Sequence, residues 1–224
     1  GPLLKILFDR NKNLNLKGID MCPEELNLAK KLLINSKVNL IESKAQNLSA
    51  IDDNSIDIVL CHWALTLMDP IAPVLAEVKR VLNSKGQFAA LVDGPMNTAP
   101  GYKEVHDLIY SYVQEEIPSY GDIDLGDPRI RGSKSLNDLA NKTFPDANVT
   151  IETNVVSLVG PVIQVAEIAA GFFYATFILK PEKRKSMITS LSNTLAISKE
   201  STDAERQGRF SMPISRLLVA PDIK

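Results

Sequence analysis

Thirteen residues, Leu14-Asn-Leu-Lys-Gly-Ile-Asp20-Met-Cys-Pro-Glu-Glu-Leu26, carry the chain's clearest chemical pattern. Apolar residues alternate up to a carboxylate, and Pro23, Glu24 and Glu25 then mark a helix start. A parallel strand of this kind delivers an acid to the hydroxyls of a nucleotide ribose, a task that suits an acceptor-only side chain. Asp20 follows Gly1 by 19 residues. That is close to the separation of about 20 residues at which such acids follow a glycine-rich loop. A second polar pair, Cys61 and His62, stands at the end of the apolar run Ile56-Asp-Ile-Val-Leu-Cys61. His62, His106 and the tyrosines Tyr102, Tyr110, Tyr112 and Tyr120 are the side chains placed to take a proton from a reacting group.

These residues need a frame. The sequence predicts a first helix over Leu3–Leu7 that ends in Asn11-Lys12-Asn13, then strand Leu14–Asp20. A helix starting at Pro23 buries Leu26, Ala29, Leu32 and Leu33, and Val38–Glu42 and Ile56–Cys61 follow as strands. Ile71, Val74, Leu75, Val78, Val81 and Leu82 form the cleanest helical stripe, stopped by Asn83-Ser84-Lys85-Gly86 before strand Gln87–Val92. The order α-β-α-β-β-α-β, with one helix unassigned, implies an α/β fold with a Rossmann-like, doubly wound, mostly parallel sheet.

Residues 95–135 break the pattern with Pro95, Pro100, Pro118, Pro128 and four glycines around one amphipathic helix, Val105 to Ile117. They read as a helical cap or lid inserted over the carboxyl edge of the sheet. The alternative is a surface loop, which leaves the helix's apolar stripe without a partner. Beyond the cap come a short helix over Leu136–Phe144, a strand through Val149–Val155, helices over Pro161–Leu179 and Lys183–Ser198, and a closing strand Phe210–Ala220. Pro213 pushes the start of that C-terminal antiparallel strand toward a sheet edge. The chain reads as a single domain, 1–224: a cofactor-binding half (1–94), the cap (95–135) and the C-terminal half of the sheet (136–224).

The chain of 224 residues is 45% hydrophobic and 23% charged, with a net charge of −2. That balance is ordinary for a soluble protein and gives no basic face for nucleic acid. Cys22 and Cys61 suit a reducing compartment, so a cytoplasmic location is expected. With His62 and His106 as the chain's two histidines, the Cys/His spacing predicts no metal site. Val155–Leu179 is apolar enough to test as a membrane span, but Glu167 and the Gly160-Pro161 break favour a strand, a turn and an apolar helix. No stable membrane insertion is expected. The first ten residues, with Lys5, Asp9 and Arg10, do not read as a signal peptide.

Five blocks recur in order: Gly1-Pro-Leu-Leu-Lys-Ile-Leu7, Lys17-Gly-Ile-Asp-Met-Cys-Pro-Glu-Glu-Leu-Asn-Leu-Ala-Lys30, Ser43-Lys-Ala-Gln-Asn-Leu48, Asp53-Asn-Ser-Ile-Asp-Ile-Val59 and Glu77-Val-Lys-Arg-Val-Leu-Asn-Ser-Lys-Gly86. Together they resemble class I S-adenosylmethionine-dependent methyltransferases, especially the small-molecule type 11 branch. The likeness is strong over residues 1–94 and architectural beyond. It implies transfer of a methyl group from S-adenosylmethionine, with S-adenosylhomocysteine as product, to a small acceptor by in-line displacement. Gly1 would be the last glycine of the cofactor loop, Asp20 would bind the ribose hydroxyls and Met21 would lie on the adenine. Ala45 and Gln46 would meet the adenine edge, and Cys61 and His62 would border the methionine amine and the methyl. His62 is the single best candidate for a catalytic residue. The cap and the apolar Val162–Leu179 segment favour an apolar acceptor, and a homodimer is compatible with the sequence.

Read as residues alone, Asp20 also serves as a turn residue, Met21 as core filler, Cys61 as a small buried hydrophobe, and His62 and Trp63 as ordinary packing. Two departures from the family stand out. Lys44 occupies the place of an acid that reads the adenine amino group, and lysine has no acceptor. The strand that carries the front of the glycine loop is not in this sequence, so residues upstream of Gly1 are expected in the natural protein. The alternative is that Gly1-Pro2 is a protease-cleavage remnant. Two rival functions remain: a non-catalytic methyltransferase-like binding protein and a nicotinamide-dependent oxidoreductase.

Overall fold

Pro2 at a helix start sets the first element, α1 (Pro2–Arg10), and its Leu4 rests directly on the strand that follows, β1 (Lys17–Asp20). The close approach is made at Gly18, where a β-carbon would come within 2.5 Å of the Leu4 side chain. The structure is a computed structural model and describes residues 1–34, 36–122, 126–197 and 206–222. Helix α2 (Pro23–Leu32) has Glu24 and Glu25 in its first turn and Lys30 and Lys31 in its last, matching the helix dipole at both ends. Strand β2 (Asn39–Glu42) pairs in parallel with β1, Asp20 opposite Glu42.

Strand β3 (Ile56–His62) leads to α3 (Ile71–Val81), which buries Ile71, Val74, Leu75, Val78 and Val81. Strand β4 (Leu82–Asp93) begins at once. The stop expected at Asn83–Gly86 is instead an irregular stretch of the strand, where the register with β3 jumps from Ile56↔Leu82 to Ile58↔Gln87. Helices α4 (Tyr102–Gln114) and α5 (Ser133–Thr143) follow, then β5 (Ala147–Pro161), α6 (Val162–Gly171), α7 (Pro181–Leu195) and β6 (Gln207–Pro221).

The strands form two hydrogen-bonded sets, β1-β2 and β3-β4-β6-β5. Pairs β1/β2 and β3/β4 are parallel, while β6 runs antiparallel to both β4 and β5. The doubly wound order expected from the sequence puts one more strand between β1 and β3. Among the described residues none lies there, and the two sets are joined instead by side chains. Leu48, Ile51 and Val81 form a small core with Ile19 and Ile41 on one side and Ile56 and Val59 on the other.

The mixed α/β architecture stands, with three corrections of detail. The antiparallel strand at the sheet margin is β5, and the C-terminal strand β6 lies one place inside it. Pro213 is tolerated there because it falls at the end of the β4 ladder, just past Asp93↔Ile214, where its carbonyl accepts the Gly94 N–H at 3.0 Å and its missing N–H costs one bond at most. Strand β1 starts at Lys17 rather than Leu14. The apolar segment after Pro161 is a ten-residue helix followed by a 3-10 turn, Tyr174–Ile178, rather than one helix. Ser198, expected as the last residue of the basic helix, lies outside the described residues, as do 123–125 of the cap segment. Among the described residues no helix is long and apolar enough to cross a membrane.

The β5-β6 ribbon is longer than the rest of the sheet. Pairing between β4 and β6 ends at Asp93↔Ile214, but β5 and β6 stay paired to Pro161↔Gln207, so the ribbon projects past the carboxyl end of β4. On it sits a second core of Val105, Ile109 and Val113 from α4, Val165, Ala166 and Ala169 from α6, Met187 and Leu191 from α7, and Phe210 and Met212 from β6. The apolar stripe of α4 therefore has a partner, which a wandering loop would not provide. The main core lies on the sheet itself and is built of α3, α5, β4 and β6.

Candidate active site at the carboxyl ends of the strands

Asp20 ends β1 and is exposed. Its Oδ1 accepts the Cys22 N–H at 2.9 Å, which turns the chain into α2, and its main-chain carbonyl accepts the Ser43 N–H at 3.0 Å. One carboxylate oxygen thus shapes the turn, and no described residue hydrogen-bonds Oδ2. Beside it the apolar Met21 is 64% exposed. An unbound thioether next to a free carboxylate oxygen fits the nucleoside half of a cofactor, one group for the diol and one for the base.

The segment after β2 reaches the same place from the neighbouring strand. Ala45 and Gln46 are half-buried, and Ala45 packs on the main core. Lys44 is exposed. A polar clamp from α3 fixes this segment. Glu77 accepts the Leu48 N–H at 2.5 Å, and Arg80 donates to the carbonyls of Leu48 at 2.9 Å and Ile51 at 3.0 Å. The Arg80 guanidinium holds the Glu77 carboxyl below its usual range. Sequence reasoning placed Glu77 and Arg80 in a recurring block and gave neither a role, because their partners are main-chain groups about 30 residues away.

Gly1 is the N-cap of α1, and its carbonyl accepts the Lys5 N–H. Cys61 and His62 stand at the end of β3. Cys61 packs on the main core, and burial pushes its thiol up, away from the thiolate. His62 is exposed, and no described residue hydrogen-bonds its ring. Its nearest aromatic neighbour is Trp63, whose ring centroid is 5.0 Å away, edge-on. The structure therefore brings Asp20, Met21, Ala45 and Gln46 together through the β1-β2 pair. Cys61 and His62 lie on a separate hydrogen-bonded set of strands.

Most other proton-transfer candidates are engaged elsewhere. Burial and the charge of Asp93 push the Tyr102 hydroxyl well up, so it stays protonated at neutral pH. The His106 ring stacks on Tyr110 at 4.0 Å and contacts Asp107 at 3.1 Å. The Tyr112 hydroxyl is bound to Ser190 at 2.8 Å on α7. A residue passed over in the sequence is Asp93, which ends β4 as Asp20 ends β1. Its Oδ1 accepts the Trp63 indole N–H at 2.8 Å. An acid closing an apolar strand was the available signal.

The comparisons with known proteins bear on this frame. The model of the methyltransferase domain family matches residues 1–90, the span that holds the β1–β3 ends and the clamp. The match covers 90 of the chain's 224 residues. Among solved structures the chain resembles YcgJ of Bacillus subtilis, with 14% identity, a TM-score of 0.58, and 94% of this chain covering 83% of that one. It also resembles the plantazolicin methyltransferase BpumL, solved with a desmethylPZN analog and SAH, at 18% identity and a TM-score of 0.54, covering 99% and 72%. A third is the Haemonchus contortus phosphoethanolamine N-methyltransferase 2 with phosphomonomethylethanolamine and S-adenosylhomocysteine, at 12% identity and a TM-score of 0.51, covering 97% of this chain and 46% of that one. At these identities the likeness is one of fold. No curated protein matches the chain.

Proposed function

We propose that this chain is an S-adenosylmethionine-dependent methyltransferase of the class I, type 11 kind, which transfers the methyl group to a small, apolar acceptor. The observation that carries the proposal is the pairing, on adjacent parallel strand ends, of a carboxylate with a free oxygen and an exposed methionine, Asp20 and Met21, beside the clamped segment Ala45–Gln46. Asp20 would receive the ribose hydroxyls, Met21 would cover one face of the adenine, and Ala45 and Gln46 would border its edge, through backbone where Lys44 offers no acceptor. Gly1 would lie by the methionine part, as would the backbone of Cys61 and His62.

When bound, the cofactor supplies an electrophilic methyl on a sulfonium. The chain's own work is to hold the acceptor atom within about 3–3.5 Å, in line, and to keep water out. His62 is the group we assign to take a proton from an acceptor oxygen or nitrogen, since its ring is exposed at the strand end and unengaged by described residues. The core built on the projecting ribbon lies past the carboxyl end of β4, which supports residues 95–135 acting as a cap over this site. The same apolar environment favours an uncharged acceptor over a nucleic acid or a charged peptide. A cytoplasmic setting and a homodimer complete the reading.

Isothermal titration with S-adenosylhomocysteine and, separately, with NAD tests it. Binding of the first alone is expected. Binding of NAD would move the chain to the oxidoreductases, and binding of neither would leave a methyltransferase-like protein without cofactor.

A further inference from the structure

Trp63 is the single tryptophan of the chain, and it is held in an unusual way. Its backbone lies in the left-handed region, at φ +57°, which a bulky side chain seldom adopts. Such a conformation is costly and persists only where the surroundings fix it. Here they do. The Trp63 N–H donates to the Leu91 carbonyl at 2.9 Å, its carbonyl accepts the Thr66 hydroxyl at 2.8 Å, and its indole N–H donates to Asp93 at 2.8 Å. The ring thereby bridges the carboxyl ends of β3 and β4, next to His62, and packs against the second core. On its other side lies the ring of Phe172, 6.1 Å away and 49% exposed.

We propose that the Trp63 indole is the wall on which the methyl acceptor stacks, that Phe172 is its outer neighbour, and that Asp93 is the positioning residue that holds the indole. This rests on the methyltransferase reading above. The class of acceptor follows from the surfaces present. Two aromatic rings offer stacking area, and the Oδ1 of Asp93 is already taken by the indole. A flat, uncharged, apolar ring gains most from such a wall, because offset and edge-on ring pairs add to simple burial.

The single tryptophan makes the test direct, since its fluorescence reports one position. The full chain, loaded with S-adenosylhomocysteine, is titrated with bromobenzene, whose bromine quenches an indole it touches. Saturable quenching is expected. Phe172→Ala, a change at a half-exposed side chain, should weaken it about three- to tenfold, the range of an aromatic pair. Asp93→Ala should weaken it similarly and Asp93→Asn, which keeps an acceptor oxygen, should restore it. Affinity for S-adenosylhomocysteine, read by calorimetry, should be unchanged in all three. Unsaturable quenching equal to that of free N-acetyltryptophanamide would overturn the inference, and so would Phe172→Ala binding bromobenzene as the parent does. If the parent itself fails to bind S-adenosylhomocysteine, the methyltransferase reading falls first, before any bromobenzene is added, and this inference falls with it.

Discussion

The Glu77 carboxylate and the Arg80 guanidinium, three residues apart on α3, meet twice, Nε to Oε1 at 2.7 Å and Nη2 to Oε2 at 2.9 Å. What the pair does lies elsewhere. With its other donors Arg80 reaches Leu48 O, Ile51 O and Asp53 Oδ1, and Glu77 takes the Leu48 N–H, so two side chains of one helix hold the loop that carries Ala45 and Gln46. Arg80→Ala removes these donors from the Leu48 and Ile51 carbonyls and from the Glu77 and Asp53 carboxylates. A lowered urea midpoint is expected. Calorimetry should show weaker binding of S-adenosylhomocysteine as the loop loosens. Unchanged affinity with reduced stability would separate the clamp from the cofactor.

The same pair sets a pH dependence. Arg80 holds the Glu77 carboxyl below its usual range, and Arg129, through hydrogen bonds at 2.6 and 2.9 Å, does the same for Asp127. A depressed carboxyl means that the folded state binds fewer protons than the unfolded chain once the pH nears the unfolded values of about 4. The contribution is complete above that point and is lost as the pH falls through the folded values. Denaturant midpoints should therefore be level near neutrality and fall on acidification below about pH 5. Glu77→Gln should flatten that fall.

Asp20 makes two separable contributions. Asp20→Asn keeps an oxygen for the Cys22 N–H, so the turn into α2 stays, while the charge that would hold the ribose diol is gone. Asp20→Ala loses both. A hydrogen bond to a charged group contributes about 1.5–3 kcal/mol, so each variant should bind S-adenosylhomocysteine at least about tenfold more weakly. Circular dichroism should show both folded. Undiminished affinity in Asp20→Asn would remove the residue from the cofactor site.

Gly126 tests the contact between the far end of the cap segment and the turn after β3. Its φ is +72°, and a β-carbon there would lie 2.3 Å from the Thr66 carbonyl oxygen. The adjoining Asp127 N–H donates to Met68 O at 3.1 Å. Gly126→Ala must both adopt a disfavoured backbone and push two main-chain segments apart. A loss of at least about 1–3 kcal/mol is expected, read as a lowered melting temperature. A melting temperature equal to the parent's would mean that the loop moves freely away from Thr66.

The elements that repeat locally were legible in the chain. Helix α3 announced itself by an apolar stripe whose members are all buried, and α2 by Pro23 and the charges at its two ends. Asp20 and Met21 could be found because a strand, an acid and a helix start lie within a dozen residues. Periodicity and capping act over one or two turns, and sequence records them directly. What periodicity cannot record is which strands become neighbours. Pro213 suggested an edge, yet β6 lies between β4 and β5, because the pairing partner and the end of the neighbouring ladder decide where a missing N–H is harmless. The overlong β5-β6 ribbon, and the second core that seats α4, were likewise settled by contacts far apart in the chain.

The site divides in the same way. By itself the sequence pointed to Asp20 and Met21 as the nucleoside end proposed here, and to the likeness between residues 1–90 and the methyltransferase domain family. Only the tertiary structure decided that Glu77 and Arg80 grip a loop some 30 residues earlier, and that Asp93 locks the one tryptophan beside His62. The physical reason is that hydrogen bonds to main-chain groups and across strand ends depend on register and proximity, which no residue type declares by itself.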